Sequence, residues 1–166
     1  MKKRTTQAAV AGTGIVALTL MCAFAQADSI SYAKAQELNT SIEEAANAAL
    51  TSVSGTIIEA ELEFDDNLAV WEFDIVDEAN QVMSVEIDGK TGSVLSVEST
   101  DDVAPDVTDA LSWQQAIEMV RAVENGALIE MELENDDDQL VWEIETVGQN
   151  NDESELRVHG ITGEIL

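Results

Sequence analysis

The chain has 166 residues, of which 45% are hydrophobic and 25% charged, the composition of a globular protein with a core. Acidic residues outnumber basic ones 34 to 7, which gives a formal net charge of −27. Nucleic acids and anionic membrane surfaces are bound through Lys and Arg, so this balance excludes a nucleic-acid partner and disfavours an anionic membrane surface. Solubility, cation binding and a basic partner remain as explanations of the charge.

The first 27 residues have the pattern of a secretory signal peptide. Basic residues at 2–4 precede an almost wholly apolar or small run from Ala8 to Ala25, and A-x-A sites end at Ala25 and Ala27. We therefore expect a periplasmic or secreted protein, cleaved after one of these alanines, with no membrane span after cleavage. The alternatives are an uncleaved membrane anchor and a lipoprotein at Cys22, although Met21 before it is bulkier than the small residue usual there.

Cleavage at either site changes the composition of the protein. It leaves four basic residues against 34 acidic ones, a formal charge of −30, and it removes Cys22, the sole cysteine. We expect a mature protein without disulfides, thiol catalysis or a cysteine-based zinc site.

An internal duplication organises the remainder of the chain. With an offset of 71 residues, 38–95 aligns with 109–166 without a gap, and the identical residues cluster, as in Val-Trp-Glu at 70–72 and 141–143. The segment between the copies is polar and holds the sole proline, Pro105. The predicted organisation is a signal peptide at 1–27, a first repeat at 28–98, a linker at 99–109 and a second repeat at 110–166.

Each repeat is predicted to open with a helix. Ser41 with Glu44, and Ser112 with Gln115, form capping-box patterns. Apolar residues at helical spacing follow each box, and Gly55 and Gly126 stand where each helix would stop. The apolar positions are Ile42, Ala45, Ala46, Ala49, Leu50 and Val53 in the first copy and Trp113, Ala116, Ile117 and Val120 in the second.

The sequence period then changes from 3.6 to 2, which predicts strands. In the first copy apolar and acidic residues alternate from Ile58, which predicts a first strand, and an acidic turn leads to a second strand around Trp71. A third strand runs through Val85, and a short last strand begins at Val94. The second copy repeats this order and its last strand begins at Ile165. Alternation of this kind suits an antiparallel sheet with one apolar face, which the helix would cover. The predicted fold class is α+β: two tandem modules, each one helix packed on an antiparallel sheet of about four strands.

Two motifs in each copy carry a family resemblance. The run Val70–Ile75, followed by a strand and the turn Ile87–Leu95, resembles a PepSY domain, as does the second copy from Val141 to Leu166. The second copy departs from the pattern at His159 and Ile161, where the first has Asp88 and Lys90. PepSY domains occur in propeptides of secreted metalloproteases and in bacterial cell-envelope proteins. The resemblance implies a cystatin-like fold and a role as a peptidase inhibitor.

The residue inventory argues against catalysis. There is one histidine, His159, so an H-E-x-x-H zinc site is impossible, and G-x-S-x-G is missing. We interpret His159 as a solvent-facing turn residue. Carboxylates are plentiful, but they fall on the exposed sides of the predicted strands, where we expect no pocket. Gly89, Gly92, Gly160 and Gly163 are interpreted as turn glycines with positive φ.

The tryptophans and the acidic turns have two readings each. We expect Trp71, Trp113 and Trp142 to pack in the core, with a sheet edge that grips a partner strand as the alternative. The turns group hard oxygen ligands that suit Ca²⁺, but no glycine completes an EF-hand loop, and we favour the interpretation that they are solvated hairpin tips. The candidate metal ligands are Asp65, Asp66, Asp136, Asp137 and Asp138.

Together these patterns predict a secreted or periplasmic protein-binding module that is not an enzyme. The expected partner is a secreted or envelope peptidase, inhibited in trans because no peptidase domain follows the repeats in this sequence. We expect a monomer or weak oligomer with no required cofactor. The alternatives are an acidic module that binds divalent cations or polycationic ligands, and a structural envelope protein.

The signal-peptide interpretation makes a prediction about mass. We expect the exported protein to begin at Gln26 or Asp28, because these residues follow the two A-x-A sites. Intact-mass measurement of the exported protein checks this. A retained Met1, or a lipid on Cys22, would show that the segment is an anchor instead.

Overall fold

The computed structural model describes residues 30–65, 68–137 and 139–166. The predicted signal peptide lies outside them. The helices are α1 (Tyr32–Ala35), α2 (Ile42–Ser52) and α3 (Trp113–Arg121). The strands are β1 (Gly55–Asp65), β2 (Leu68–Asp77), β3 (Val82–Asp88), β4 (Val94–Ser99), β5 (Ala127–Asp136), β6 (Gln139–Val147) and β7 (Glu153–His159). This confirms the predicted α+β class, with the main helix of each repeat packed on an antiparallel sheet.

The strands of both repeats form one seven-stranded sheet. Its order is β4-β3-β2-β1-β5-β6-β7, so β1 and β5 pair at the centre and the later strands of each repeat extend outward. The central register places Ala60 opposite Met131, between the pairs Glu59–Glu132 and Glu61–Glu130. Ala60 and Met131 are equivalent positions of the two repeats, so a pseudo-two-fold axis passes through this pair.

The last strand of the second repeat is reduced to one bridge. In the first repeat β4 pairs with β3 from Val94 to Ser99. In the second, Ile165 forms a single antiparallel bridge with Val158 of β7. The two ends of the sheet therefore differ, with a full strand at one end and a bridged tail at the other.

Both main helices begin at the predicted capping boxes. The Ser41 hydroxyl accepts from Glu44 N, the Glu44 carboxylate accepts from Ser41 N, and Ser112 and Gln115 do the same. The helices bury the predicted apolar faces against a single core that also contains Trp71, Phe73, Trp142 and the rest of the inward strand residues. The opposite face of the sheet carries the acidic residues of the alternation.

The short helix α1 has no counterpart among the predicted elements, because one turn carries no periodic signal. The Ser31 hydroxyl caps it by accepting from Lys34 N at 3.3 Å. Tyr32 N donates to Asn151 Oδ1 at 3.0 Å, across to the β6–β7 turn. The start of the first repeat, ahead of its main helix, therefore contacts the second repeat and helps to hold the two together.

The prediction that Gly55 and Gly126 stop the helices was wrong. The helices end at Ser52 and Arg121; Gly55 is the first residue of β1, and Gly126 directly precedes β5. A Cβ on Gly55 would lie 2.2 Å from Val76 O, and one on Gly126 would lie 2.7 Å from the Thr146 side chain. Close approach to the neighbouring strand therefore requires glycine at these positions.

The turn glycines divide into two kinds. Gly92 and Gly163 have φ values of +69° and +75°, as predicted, a conformation that side chains disfavour. Gly89 and Gly160 are not among the described residues with positive φ, which corrects the prediction for these two. A Cβ on Gly160 would lie 2.8 Å from Leu140 O, so crowding against the neighbouring strand accounts for it.

We predict that the two repeats unfold as one unit. Met131 is fully buried at the centre of the sheet, and Met131→Ala should lower the free energy of unfolding by about 2–5 kcal/mol, since it leaves a cavity. Urea titration followed by fluorescence and by circular dichroism checks this. Val103→Ala, at a residue that is 93% exposed, is the control and should change little. Separate transitions for the two repeats would contradict the prediction.

Candidate functional site

Two rows of mainly acidic side chains cross the sheet on the face opposite the helices. They are named the Glu59 row and the Glu61 row after their β1 members, and each takes one residue from every strand. The Glu59 row consists of Glu98, Ser84, Asp74, Glu59, Glu132, Glu143 and Arg157. The Glu61 row consists of Ser96, Glu86, Glu72, Glu61, Glu130, Glu145 and Glu155. Adjacent strands are about 4.8 Å apart, so like charges are close neighbours along both rows.

Partial burial and mutual repulsion raise the pKa values of the central carboxyl groups. Burial, with the charges of Glu132 and Asp74 nearby, raises the pKa of Glu59 to about 8. Burial first and neighbouring carboxylates second raise the pKa of Glu130 to about 7 and that of Asp74 to about 6. The pKa values of Glu61, Glu132, Glu143 and Glu145 are raised for the same reasons.

The segment between the repeats lies over the centre of the Glu59 row. A cleft of about 440 Å³ is lined by Glu59, Asp74 and Glu132 on the sheet and by residues 102–105 of this segment. Asp74 Oδ1 is buried there and accepts no hydrogen bond from the described residues. From the sequence, no pocket is expected near the carboxylates. That expectation was wrong, because the path of a polar connecting segment leaves no periodic signal.

One basic side chain interrupts the rows. The Arg157 guanidinium is bonded to Asp136, and its Nε lies 3.2 Å from Glu143 Oε1. Glu134 Oε1 is 3.8 Å from Arg157 Nη2. Arg157, the basic member of the two rows, therefore lies at their β7 end.

The candidate metal ligands fall in the two acidic turns. Asp66 and Asp138 lie outside the described residues, as does the side chain of Asp65. Asp136 is ion-paired with Arg157, and Asp137 is an exposed turn residue with φ +46°. Within residues 30–65, 68–137 and 139–166, no three His, Cys, Asp or Glu side chains group as metal ligands would. Calcium binding at these turns stays a prediction.

His159 has a local structural role. Its Nδ1 accepts from Ile161 N at 3.2 Å and Thr162 N at 3.4 Å. The Oδ1 of its counterpart, Asp88, accepts from Lys90 N and Thr91 N, both at 2.8 Å. The imidazole therefore replaces a carboxylate as the acceptor that orders the turn, and the departure from the pattern keeps the same function.

Strand β4 is an open edge of the sheet. It pairs with β3 on one side, and no described strand pairs with it on the other. Val94, Leu95 and Val97 are 43%, 45% and 43% exposed. Lys and Pro, which commonly protect edge strands, do not occur in Val94–Ser99. The edge therefore offers backbone hydrogen-bonding groups beside apolar side chains.

The tryptophans are core residues, as predicted. Trp71, Trp113 and Trp142 are 3%, 5% and 0% exposed. The alternative, a tryptophan that grips a partner strand at a sheet edge, is therefore wrong. Exposed aliphatic residues of β4 occupy that position, and the sequence does not reveal their exposure because Val94, Leu95 and Val97 are residue types common in buried strands.

The fold and these surfaces define the class of the protein, a tandem α+β module with carboxylate rows on one face and one open strand edge. The chain belongs to the PepSY family, described as peptidase propeptide and YPEB domain, and residues 41–98 and 110–166 both match it. No helix in the described part of the chain is long and apolar enough to cross a membrane.

One solved structure is similar to this chain. It is a crystal structure described as a "putative lipoprotein" from Clostridium difficile 630. The two chains are 26% identical with a TM-score of 0.46, over 79% of this chain and 93% of the other. No curated protein matches the chain.

The raised pKa values predict that acidification stabilises the protein. Between the ordinary carboxyl pKa and the raised values of about 6 to 8, the native state binds more protons than the unfolded state. Stability therefore falls as pH rises through that window. We expect the melting temperature to be higher at pH 5 than at pH 8.5.

A variant isolates the contribution of the central carboxylate. Glu59→Gln should raise stability at pH 8.5 by about 1 kcal/mol or more, since one pKa unit corresponds to about 1.4 kcal/mol, and should flatten the pH dependence. Glu78→Gln removes the same charge from an exposed turn and serves as the control. Thermal melts across the pH range check both variants. An equal effect of the two would assign the stabilisation to net charge alone.

Proposed function

We propose that the exported chain is a non-catalytic protein-binding module that acts outside the cytoplasm and restrains a peptidase in trans. The observation that carries this proposal is the open edge of β4 on a chain whose two repeats both belong to the peptidase-propeptide family. The pattern of the first 27 residues supports the location.

The chemistry of β4 suits an extended partner segment. An unpaired strand edge binds an incoming strand through backbone hydrogen bonds, and neighbouring side chains supply specificity. Val94, Leu95 and Val97 provide apolar contacts along such a segment. Peptidases bind their substrates as extended chains, and their own substrate-binding edges can pair with a strand of this kind.

The carboxylate rows favour a partner with a basic surface. Charge complementarity accelerates encounter and excludes acidic proteins. A basic surface would also lower the mutual repulsion along the Glu59 row. Binding would therefore remove an unfavourable electrostatic contribution to the free energy of the unbound protein. Inhibition should therefore weaken as salt screens the charges.

The absence of an enzymatic activity is part of the proposal. His159, the sole histidine, is engaged in its turn through Nδ1.

Recovery of the target tests the proposed function. The purified protein, immobilised, should retain a peptidase from envelope and secreted fractions of the producing cell, and adding it to that peptidase should lower the activity saturably. Val97→Lys places a charge on the open edge and should weaken inhibition about tenfold or more. Val123→Lys adds the same charge at a residue that is 59% exposed and lies outside β4 and both carboxylate rows, and this variant should inhibit normally. Unchanged inhibition by Val97→Lys would show that β4 does not bind the peptidase.

A second candidate function rests on the rows themselves. The same face would attract divalent cations or polycationic ligands, which neutralise adjacent carboxylates. Calorimetric titration with Ca²⁺, Mg²⁺ and spermine at matched ionic strength tests it. Saturable binding together with the failure to retain any peptidase would favour this function over peptidase restraint.

A further inference from the structure

A cavity of about 430 Å³ lies between the helices on the covered face of the sheet. Its lining comes from both repeats: the connection between α1 and α2, Trp71 of β2, one side of α3, the start of β5 and Thr146 of β6. Arg121 Nη1 of α3 lies 2.6 Å from Glu43 Oε1 of α2, and this exposed ion pair spans the solvent side of the cavity. The volume is within the range of small-molecule sites.

Two buried polar atoms of the lining lack hydrogen-bond partners. They are Trp71 Nε1 and Thr146 Oγ1, and neither bonds to any residue in the described part of the chain. Each side chain belongs to a residue that is only 3% exposed. Buried polar groups of native proteins are nearly always hydrogen-bonded, so each exception calls for an explanation.

The duplication supplies an internal comparison. In the second repeat Trp142 Nε1 donates to Leu111 O at 3.1 Å. The counterpart of Leu111 is Thr40, which receives no such bond from Trp71. The counterpart of Thr146 is Ile75, which is 0% exposed and purely apolar. The fold can therefore give the indole N–H an acceptor, as it does for Trp142, and can place an apolar side chain at the position of Thr146, as it does with Ile75. Neither occurs in the lining of this cavity.

We propose that this interhelix cavity binds a short, uncharged peptide segment with aliphatic side chains. An indole N–H can only donate, so the ligand must present an acceptor such as an amide carbonyl, while the Thr146 hydroxyl can bond to either a carbonyl or an amide. Leu38, Ile42, Ile117, Val120 and Leu128 provide an apolar lining for the side chains.

Charge repulsion excludes peptides that carry a free carboxylate. Three carboxylates of the lining, those of Glu43, Glu44 and Glu124, stand against the single guanidinium of Arg121. The formal charge of the chain is −27, so a ligand with a free carboxylate is repelled. A blocked C-terminus or an internal peptide segment avoids this repulsion.

Indole N–H signals provide a direct test. The protein has three tryptophans, hence three indole resonances in a ¹H–¹⁵N spectrum. On titration with N-acetyl-leucyl-leucinamide, the Trp71 signal, identified by its loss in Trp71→Phe, should shift saturably. The Trp142 signal should stay in place, because its N–H is already bonded. The absence of any saturable shift at Trp71 would overturn the proposal.

Two substitutions separate binding from folding. Thr146→Val removes the hydroxyl at nearly constant size, and we expect it to raise the melting temperature yet weaken binding of the dipeptide amide by about tenfold. Thr51→Val makes the same change on the exposed side of α2 and should leave affinity unaltered. Unchanged affinity in both Trp71→Phe and Thr146→Val would overturn the site. Equal affinity for the free acid, N-acetyl-leucyl-leucine, would overturn the assignment of an uncharged ligand.

Discussion

The pairing of β1 with β5 places equivalent residues of the two repeats side by side along an antiparallel ladder. Ala60 and Met131 meet on the helix-covered face, while the flanking pairs, Glu59–Glu132 and Glu61–Glu130, meet on the opposite face. Like charges directly opposite each other destabilise a sheet. The apolar face therefore has to supply the favourable free energy, and the large core common to both repeats depends on this one register.

The same pairing accounts for the properties of both faces. On one face, it brings carboxylates from two repeats into continuous rows and raises their pKa values. On the other, it sets α2 and α3 on one side of the sheet with a cavity between them. Repulsion along the carboxylate rows and the unpaired polar atoms in the cavity both lower stability. Both features are explained if the rows and the cavity bind ligands that the free chain lacks.

Local patterns predicted the elements, whereas the joining of the repeats was not predictable from them. Capping boxes and alternation predict the helices and strands from residues near in sequence, the 71-residue offset shows the duplication, and the runs Val70–Ile75 and Ile87–Leu95 carry the resemblance to the family. Nothing in the local sequence indicates that the edge of β1 pairs with β5, because the alternation of Glu59–Glu63 would be the same if that edge were exposed to solvent. For the same reason the exposed carboxylates were identified but their rows were not. Trp71 was correctly assigned to the core, but its unpaired N–H follows from the position of residues 36–41, which sequence does not specify.

The central register also has a consequence for the kinetics of folding. Each hairpin, β1–β2 and β5–β6, joins neighbours in sequence, whereas the Ala60–Met131 pair closes a long loop. Contacts that close long loops form late, after the local ones. The final docking step must therefore bring four glutamates together, an encounter that counterions accelerate. Nascent chains of this protein would spend their longest exposed interval with the β1 and β5 edges uncovered, and their negative charge would protect those edges from pairing with other molecules.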